Sequence, residues 1–323
     1  KFKLQESSIG YQTNIMTRKF ETYLKNLDND SITLFYKLTK LTNSPILTYL
    51  FYEKILDDLK FFNVSNFEDK YNEFTLTSAV NFLLRDRNNV NSIIALIYKA
   101  RQNGRSVRAN LTQEVWLSLN ESWIACETAL KRPVKIRDLP GVLEGIIKGS
   151  SLFRGALYGT MLHNDIFNFL RLGTYIERAD NTLRIMNSKH HQLLPTARVI
   201  GGNEGQSQWE VMLRSLAAWR SFNWLRKGQL DPASVANFLI FDARMPRSIN
   251  FCYREIKSNL GDLSNYYCSN YVSYQMACEL LETLNVRNVS NKKIKPSEFI
   301  STHIVKNNEV GRAISTDFNL CKS

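Results

Sequence analysis

Arg171-Leu-Gly-Thr-Tyr-Ile-Glu-Arg-Ala-Asp-Asn-Thr-Leu-Arg184 is the stretch whose reading decides the fold. Leu172, Ile176, Ala179, Leu183 and Met186 recur with helical spacing and form one apolar line. Glu177, Asn181 and Arg184 make a second line, at i, i+4 and i+7. Arg171 and Arg178 make a third. The stretch therefore reads as a helix with a core-facing stripe and more polar groups than a solvated face needs. Side chains three or four apart on a helix can touch. The polar lines thus predict either a hydrogen-bond network between helices or a carboxylate beside an arginine anion clamp. Asp180 reads as a surface residue or an ion-pair partner.

The surrounding chain repeats the helical pattern. Its 323 residues are 44% hydrophobic, with only 14 Gly and 7 Pro to break helices. Apolar residues keep helical spacing over 13–85, as in Phe20, Tyr23, Leu24 and Leu27. A helix is predicted from Val90 to Arg108, and another from a cap at Asn110 or Thr112 to about Lys131. A third should follow Pro140 and run to about Met161. The His163-Asn-Asp165 turn should then cap a helix over 166–190. Residues 193–206, with Pro195 and Gly201-Gly-Asn-Glu-Gly205, read as a linker. Trp209 to Leu225 reads as one helix. Asp231-Pro232 and Met245-Pro246 each read as a helix start, Leu263 to Leu284 as one long helix, and Phe299 to Phe318 as an amphipathic one. No alternating strand pattern is visible. The expectation is an all-α protein, a multi-helix bundle with antiparallel helices. Residues 1–75 would form an N-terminal helical part continuous with a core over 76–323.

Two further clusters carry charge. In the helix from Val90, the apolar line of Val90, Ile94 and Ile97 continues as Arg101, Arg105 and Arg108. Arginines on a core-facing line need acids or an anionic ligand. Solvated cations at a helix C-terminus are the alternative. Gly104 among them allows close approach of a second helix or a ligand. Glu114 and Asn120 on the next helix are the nearest candidate partners. The other cluster is Asp242-Ala-Arg-Met-Pro-Arg-Ser248. If Pro246 opens a helix, the free N–H groups flanked by Arg244 and Arg247 could hold an anion. An ordinary capped corner with an Asp242–arginine pair is the alternative.

Catalytic signals are sparse, and no catalytic residue is assigned. His163, His190, His191 and His303 include no helical metal pair. No Gly-rich phosphate loop and no nucleophile elbow is present, so neither a cofactor nor a metal is expected. Trp209, Trp219 and Trp224 are expected in the core. Five scattered cysteines form no CxxC pair, which predicts reduced thiols and a cytoplasmic location. The apolar runs are too short to span a bilayer, and no signal peptide is expected. The first residue is Lys rather than Met, so a fragment or processed piece is expected. The net charge of +12 is spread along the chain, so nucleic acid is not an expected partner, and a basic nucleic-acid-binding protein is the third reading.

Three segments resemble the alpha-E domain family. They are Ala100–Arg108 with Glu114–Asn120, Phe169–Asp180, and Phe238–Ser248. The tail from Phe299 to Phe318, with Lys306-Asn-Asn308 and Gly311, is similar to that family's end. The resemblance covers roughly residues 76–320, with four blocks in the right order. Family members usually open with a second copy of the Tyr-x-Glu-Arg-Ala helix. Met16–Lys25 stands near that place without the motif. The resemblance implies an all-helical bacterial cytoplasmic protein. It also implies two partners: a circularly permuted ATP-grasp ligase and a transglutaminase-like peptidase. The leading expectation is then a helical partner in peptide-bond formation or protein tagging. The alternative is a ligand-binding or enzymatic domain in which the three clusters line one cleft for a carboxylate or phosphate.

Overall fold

The computed structural model describes residues 76–89, 92–197, 203–226, 230–284 and 296–319. The helices expected over 13–75, the boundary expected at residue 75 and the Met16–Lys25 segment lie outside them. Eleven α-helices and no strand occur among the described residues. The chain divides into two compact units, Lys1–Thr160 and Met161–Ser323.

The first unit contains α1 (Leu76–Arg85), α2 (Ile93–Ser106), α3 (Gln113–Ala129) and α4 (Leu139–Thr160). Ser92 and Thr112 cap α2 and α3, each accepting the amide N–H three residues on. Partners along α2 and α3 run in opposite order: Tyr98 packs on Trp123, and Arg101 meets Asn120. The same order relates α3 to α4, where Thr112 meets Thr160 and Ser122 faces Gly149. These neighbours are therefore antiparallel. Gly104 is buried where α2 meets α3, and a Cβ there would lie 2.6 Å from Leu119 Cδ2. The glycine lets the helices close. Leu83, Leu84, Ile94, Trp123, Leu139 and Leu143 lie in the core. Buried Asn81 accepts the Val134 N–H at 2.9 Å, tying α1 to the segment before α4.

The second unit contains α5 (Asp165–Ala197), α6 (Asn203–Ser215), α7 (Trp219–Arg226), α8 (Pro232–Phe241), α9 (Ile249–Tyr266), α10 (Val272–Thr283) and α11 (Pro296–Asp317). Helices α5, α9, α10 and α11 pack in a closed ring, each against the next. Again the partners run in opposite order. Arg171 meets Glu255 while Thr182 meets Arg247, and Ser273 meets Asp317 while Thr283 meets His303. This is a four-helix bundle with α6–α8 packed as a layer beside it.

Four boundaries differ from the sequence reading. Helix α5 runs through Pro195 to Ala197, so the linker expected over 193–206 shortens. The helix expected over 209–225 is two, α6 and α7, broken at Ala217, whose φ is 51°. The long helix expected over 263–284 is also two, broken after Tyr266 with Cys268 at φ 49°. Helix α9 starts at Ile249, three residues after Pro246. Trp224 is 87% exposed rather than in the core, and its neighbours Trp209 and Trp219 are half-buried.

Candidate functional site

The apolar line of α5 faces the core as its spacing requires: Leu172, Ala179, Leu183 and Met186 are buried. Beside it, each polar group has a separate task. The Arg171 guanidinium forms an ion pair with Glu255 of α9 and lies over the rings of Phe167 and Tyr175, 5.5 and 5.3 Å from their centroids. Arg178 lies 5.1 Å from the Tyr175 ring centroid and donates from Nη1 to the Pro246 carbonyl at 3.1 Å. Asp180 accepts from Arg184 Nε at 2.7 Å, one turn away. Asn181 is 3% exposed and its Oδ1 has no hydrogen-bond partner among the described residues. Glu177 is exposed. Along the polar line of Glu177, Asn181 and Arg184, the first is exposed, the second is buried and the third pairs with Asp180.

The 242–248 corner is brought directly against α5. Ser248 caps α9 by accepting the Phe251 N–H at 3.0 Å and donates to the Asp242 carbonyl. Thr182, fully buried, places its hydroxyl 2.9 Å from the Arg247 carbonyl. Cys252 Sγ lies 3.8 Å from the Pro246 carbonyl. Asp242 holds Arg244 with both carboxylate oxygens, at 3.2 and 3.0 Å. That pairing raises the exposed Arg244 guanidinium above its ordinary value. The corner is capped and self-paired, and Arg178 meets it through a backbone oxygen. Arg247 is half-buried.

The remaining cluster belongs to the first unit. Arg101 donates from Nε to Asn120 Oδ1 at 2.8 Å. Arg108 is exposed and lies 5.3 Å from the Trp116 ring centroid. Arg105 and Glu114 are both exposed, and no ion pair joins them among the described residues. This end of α2 is held by an amide and an aromatic ring rather than by an acid.

One cavity of about 480 Å³ opens between the N-terminal end of α5 and the C-terminal half of α9. Arg171 and Glu255 line it together with Asn259, Asp262, Asp165 and His163. His163 stacks on Phe167 at 3.9 Å. The Tyr267 hydroxyl donates to Asp165 at 2.7 Å, which pushes its pKa up to about 12. Of the candidate site residues read from the sequence, Arg171 alone lines this cavity, beside His163 and Asp165 of the expected capping turn. Glu255, Asn259 and Asp262 were missed, although they repeat the i, i+4, i+7 polar spacing of α5.

Nucleophile chemistry is disfavoured at the buried thiols. Burial pushes both Cys126 and Cys252 up to about 12, even though Arg178 and Arg247 pull Cys252 the other way. Burial, then Cys252 and Asp180, also raise the Tyr253 phenol. No group of three or more metal-ligating side chains occurs among the described residues, and no helix there is long and apolar enough to cross a membrane.

No curated protein and no solved structure matches the chain. A family model does, over residues 48–318: Alpha-E, described as a predicted alpha-helical domain with a conserved ER motif. The sequence contains the Glu-Arg dipeptide once, at Glu177-Arg178. Its arginine, with Thr182, ties α5 to the corner before α9. By this match, over most of its length, the chain belongs to the Alpha-E family.

Proposed function

We propose that the protein is a non-catalytic helical partner of an ATP-grasp amide ligase in the bacterial cytoplasm. It docks the ligase or presents its peptide substrate, alongside a transglutaminase-like protein. The ligase and the peptidase come from the family resemblance. The observation that carries the non-catalytic part is the use made of Arg178: it binds the protein's own backbone at Pro246. Asp180 and Asp242 are likewise engaged by Arg184 and Arg244. A docking role needs exposed apolar anchors, and Trp224 and Leu162 are 87% and 77% exposed. Tagged protein mixed with the ATP-grasp ligase at micromolar concentration should co-elute with it in size-exclusion chromatography. Clean separation of the two at that concentration would count against the reading.

A further inference from the structure

A second cavity, of about 380 Å³, opens between α9 and α10. None of the three charged clusters read from the sequence lines it. On α9 its wall is Asn250, Arg254 and Lys257, spaced i, i+4 and i+7 and so on one face of the helix. On α10 it is Cys278, Leu281 and Glu282, with Leu284 just beyond the helix end.

The cations of this wall are not spent on the protein itself. Arg254 is exposed and Lys257 half-buried. Neither makes an ion pair or a side-chain hydrogen bond among the described residues. Arg171, Arg178, Arg184 and Arg244, by contrast, each bind a carboxylate or a carbonyl of the chain. Like charges one helical turn apart repel, and an anion shared between them removes that repulsion. Glu282 lines the opposite wall, and no ion pair joins it to either cation. Two cations against one carboxylate leave a single positive excess, which matches a monoanion better than a dianion.

The rest of the wall is apolar. Leu284 is 3% exposed, and Leu281 and Cys278 are half-buried. The Asn250 amide donates to the Phe241 carbonyl at 2.8 Å, so recognition of charge falls to Arg254 and Lys257. Leucines beside a pair of cations suit a carboxylate that carries an aliphatic chain, whereas an inorganic anion has no apolar surface to bury there. The volume is that of a small-ligand site rather than a seat for a folded partner.

We propose that this cavity binds a carboxylate bearing an aliphatic chain, with Arg254 and Lys257 holding the carboxylate and Leu281 and Leu284 the chain. The group comes from the C-terminal residue of a peptide or from a free aliphatic acid. The inference stands on this cavity and does not depend on the ligase reading.

Calorimetric titration of the full chain at low salt tests it, with acetyl-alanyl-leucine as the free acid, the same peptide as its C-terminal amide, hexanoate, and inorganic phosphate. Saturable binding of a free acid is expected. It should weaken at least about tenfold for the amide and in Arg254→Gln, and be lost in Arg254→Glu. Arg105→Gln removes an exposed cation of the other unit and should leave the affinity unchanged. Tighter binding of the peptide acid points to a peptide terminus, and tighter binding of hexanoate to a free acid. Arg254 is exposed, so circular dichroism should show its variants folded. The proposal is overturned if neither acid binds by ~10 mM, if the amide binds as well as the acid, or if phosphate binds more tightly than both. Unchanged affinity in the Arg254 variants, or an equal loss in Arg105→Gln, would also overturn it. Failure of the ligase to co-elute would leave this result untouched.

Discussion

His303 is 4% exposed, stacked 3.9 Å from the Phe299 ring, with Nδ1 on the Phe299 carbonyl and Nε2 on Thr283. Burial lowers its pKa below the ordinary 6.5; the Phe299 carbonyl offsets part of this and Lys306 adds to it. The unfolded chain therefore takes up this proton first as pH falls. The stability contributed by the neutral ring is complete above about pH 6.5 and is lost as pH falls towards the lowered folded-state value. The slope is at most about 1.4 kcal/mol per pH unit. Urea denaturation at pH 7.5 and 5.5 should show a loss in the wild type that is reduced in His303→Gln; equal losses would contradict the account. In the sequence His303 stood in a tail among residues without a role. Phe299 lies one helical turn away, but Tyr253 and Thr283 are brought to it only by the fold, so nothing local marks its burial.

At the scale of the element, the two missed helix breaks share one cause. After α6, Ala218 N–H bonds the Leu213 carbonyl and Ala217 N–H the Arg214 carbonyl. After α9, Ser269 N–H bonds the Ser264 carbonyl and Cys268 N–H the Asn265 carbonyl. Both are Schellman ends, which require a left-handed residue and usually recruit glycine. Here Ala217 and Cys268 occupy that position, so the glycine that announces such an end in sequence is missing. Left-handed geometry costs a residue with a Cβ about 1–2 kcal/mol. Ala217→Gly, at an exposed site, should therefore stabilise the protein by about 1 kcal/mol in urea denaturation, although glycine inside a helix does the reverse. A destabilised Ala217→Gly would mean that the turn is held differently. By contrast, Thr112, Asp231-Pro232 and the apolar line of α5 were legible, because caps and periodicity are local signals.

At the scale of the whole molecule, helical periodicity predicted an antiparallel all-α bundle, and the described residues form one in each unit. The charged clusters were legible as residues but not as a site. Which arginine meets an acid depends on pairings such as 171 with 255, which no local spacing encodes. The bundle of α5, α9, α10 and α11, its corner and its cavity all lie within Met161–Ser323. That segment expressed alone should be helical and unfold cooperatively on heating; a non-cooperative melt would show that it needs the rest of the chain. The contacts that fix the corner also have a direction. In these two bonds Arg178 and Thr182 give side-chain protons, and positions 246 and 247 accept with main-chain oxygens. Every amino acid carries that oxygen. Sequence drift at 246 and 247 is therefore invisible to these two bonds as long as the backbone path is kept, while drift at 178 or 182 removes them. These two bonds are written in only one of the two segments they connect.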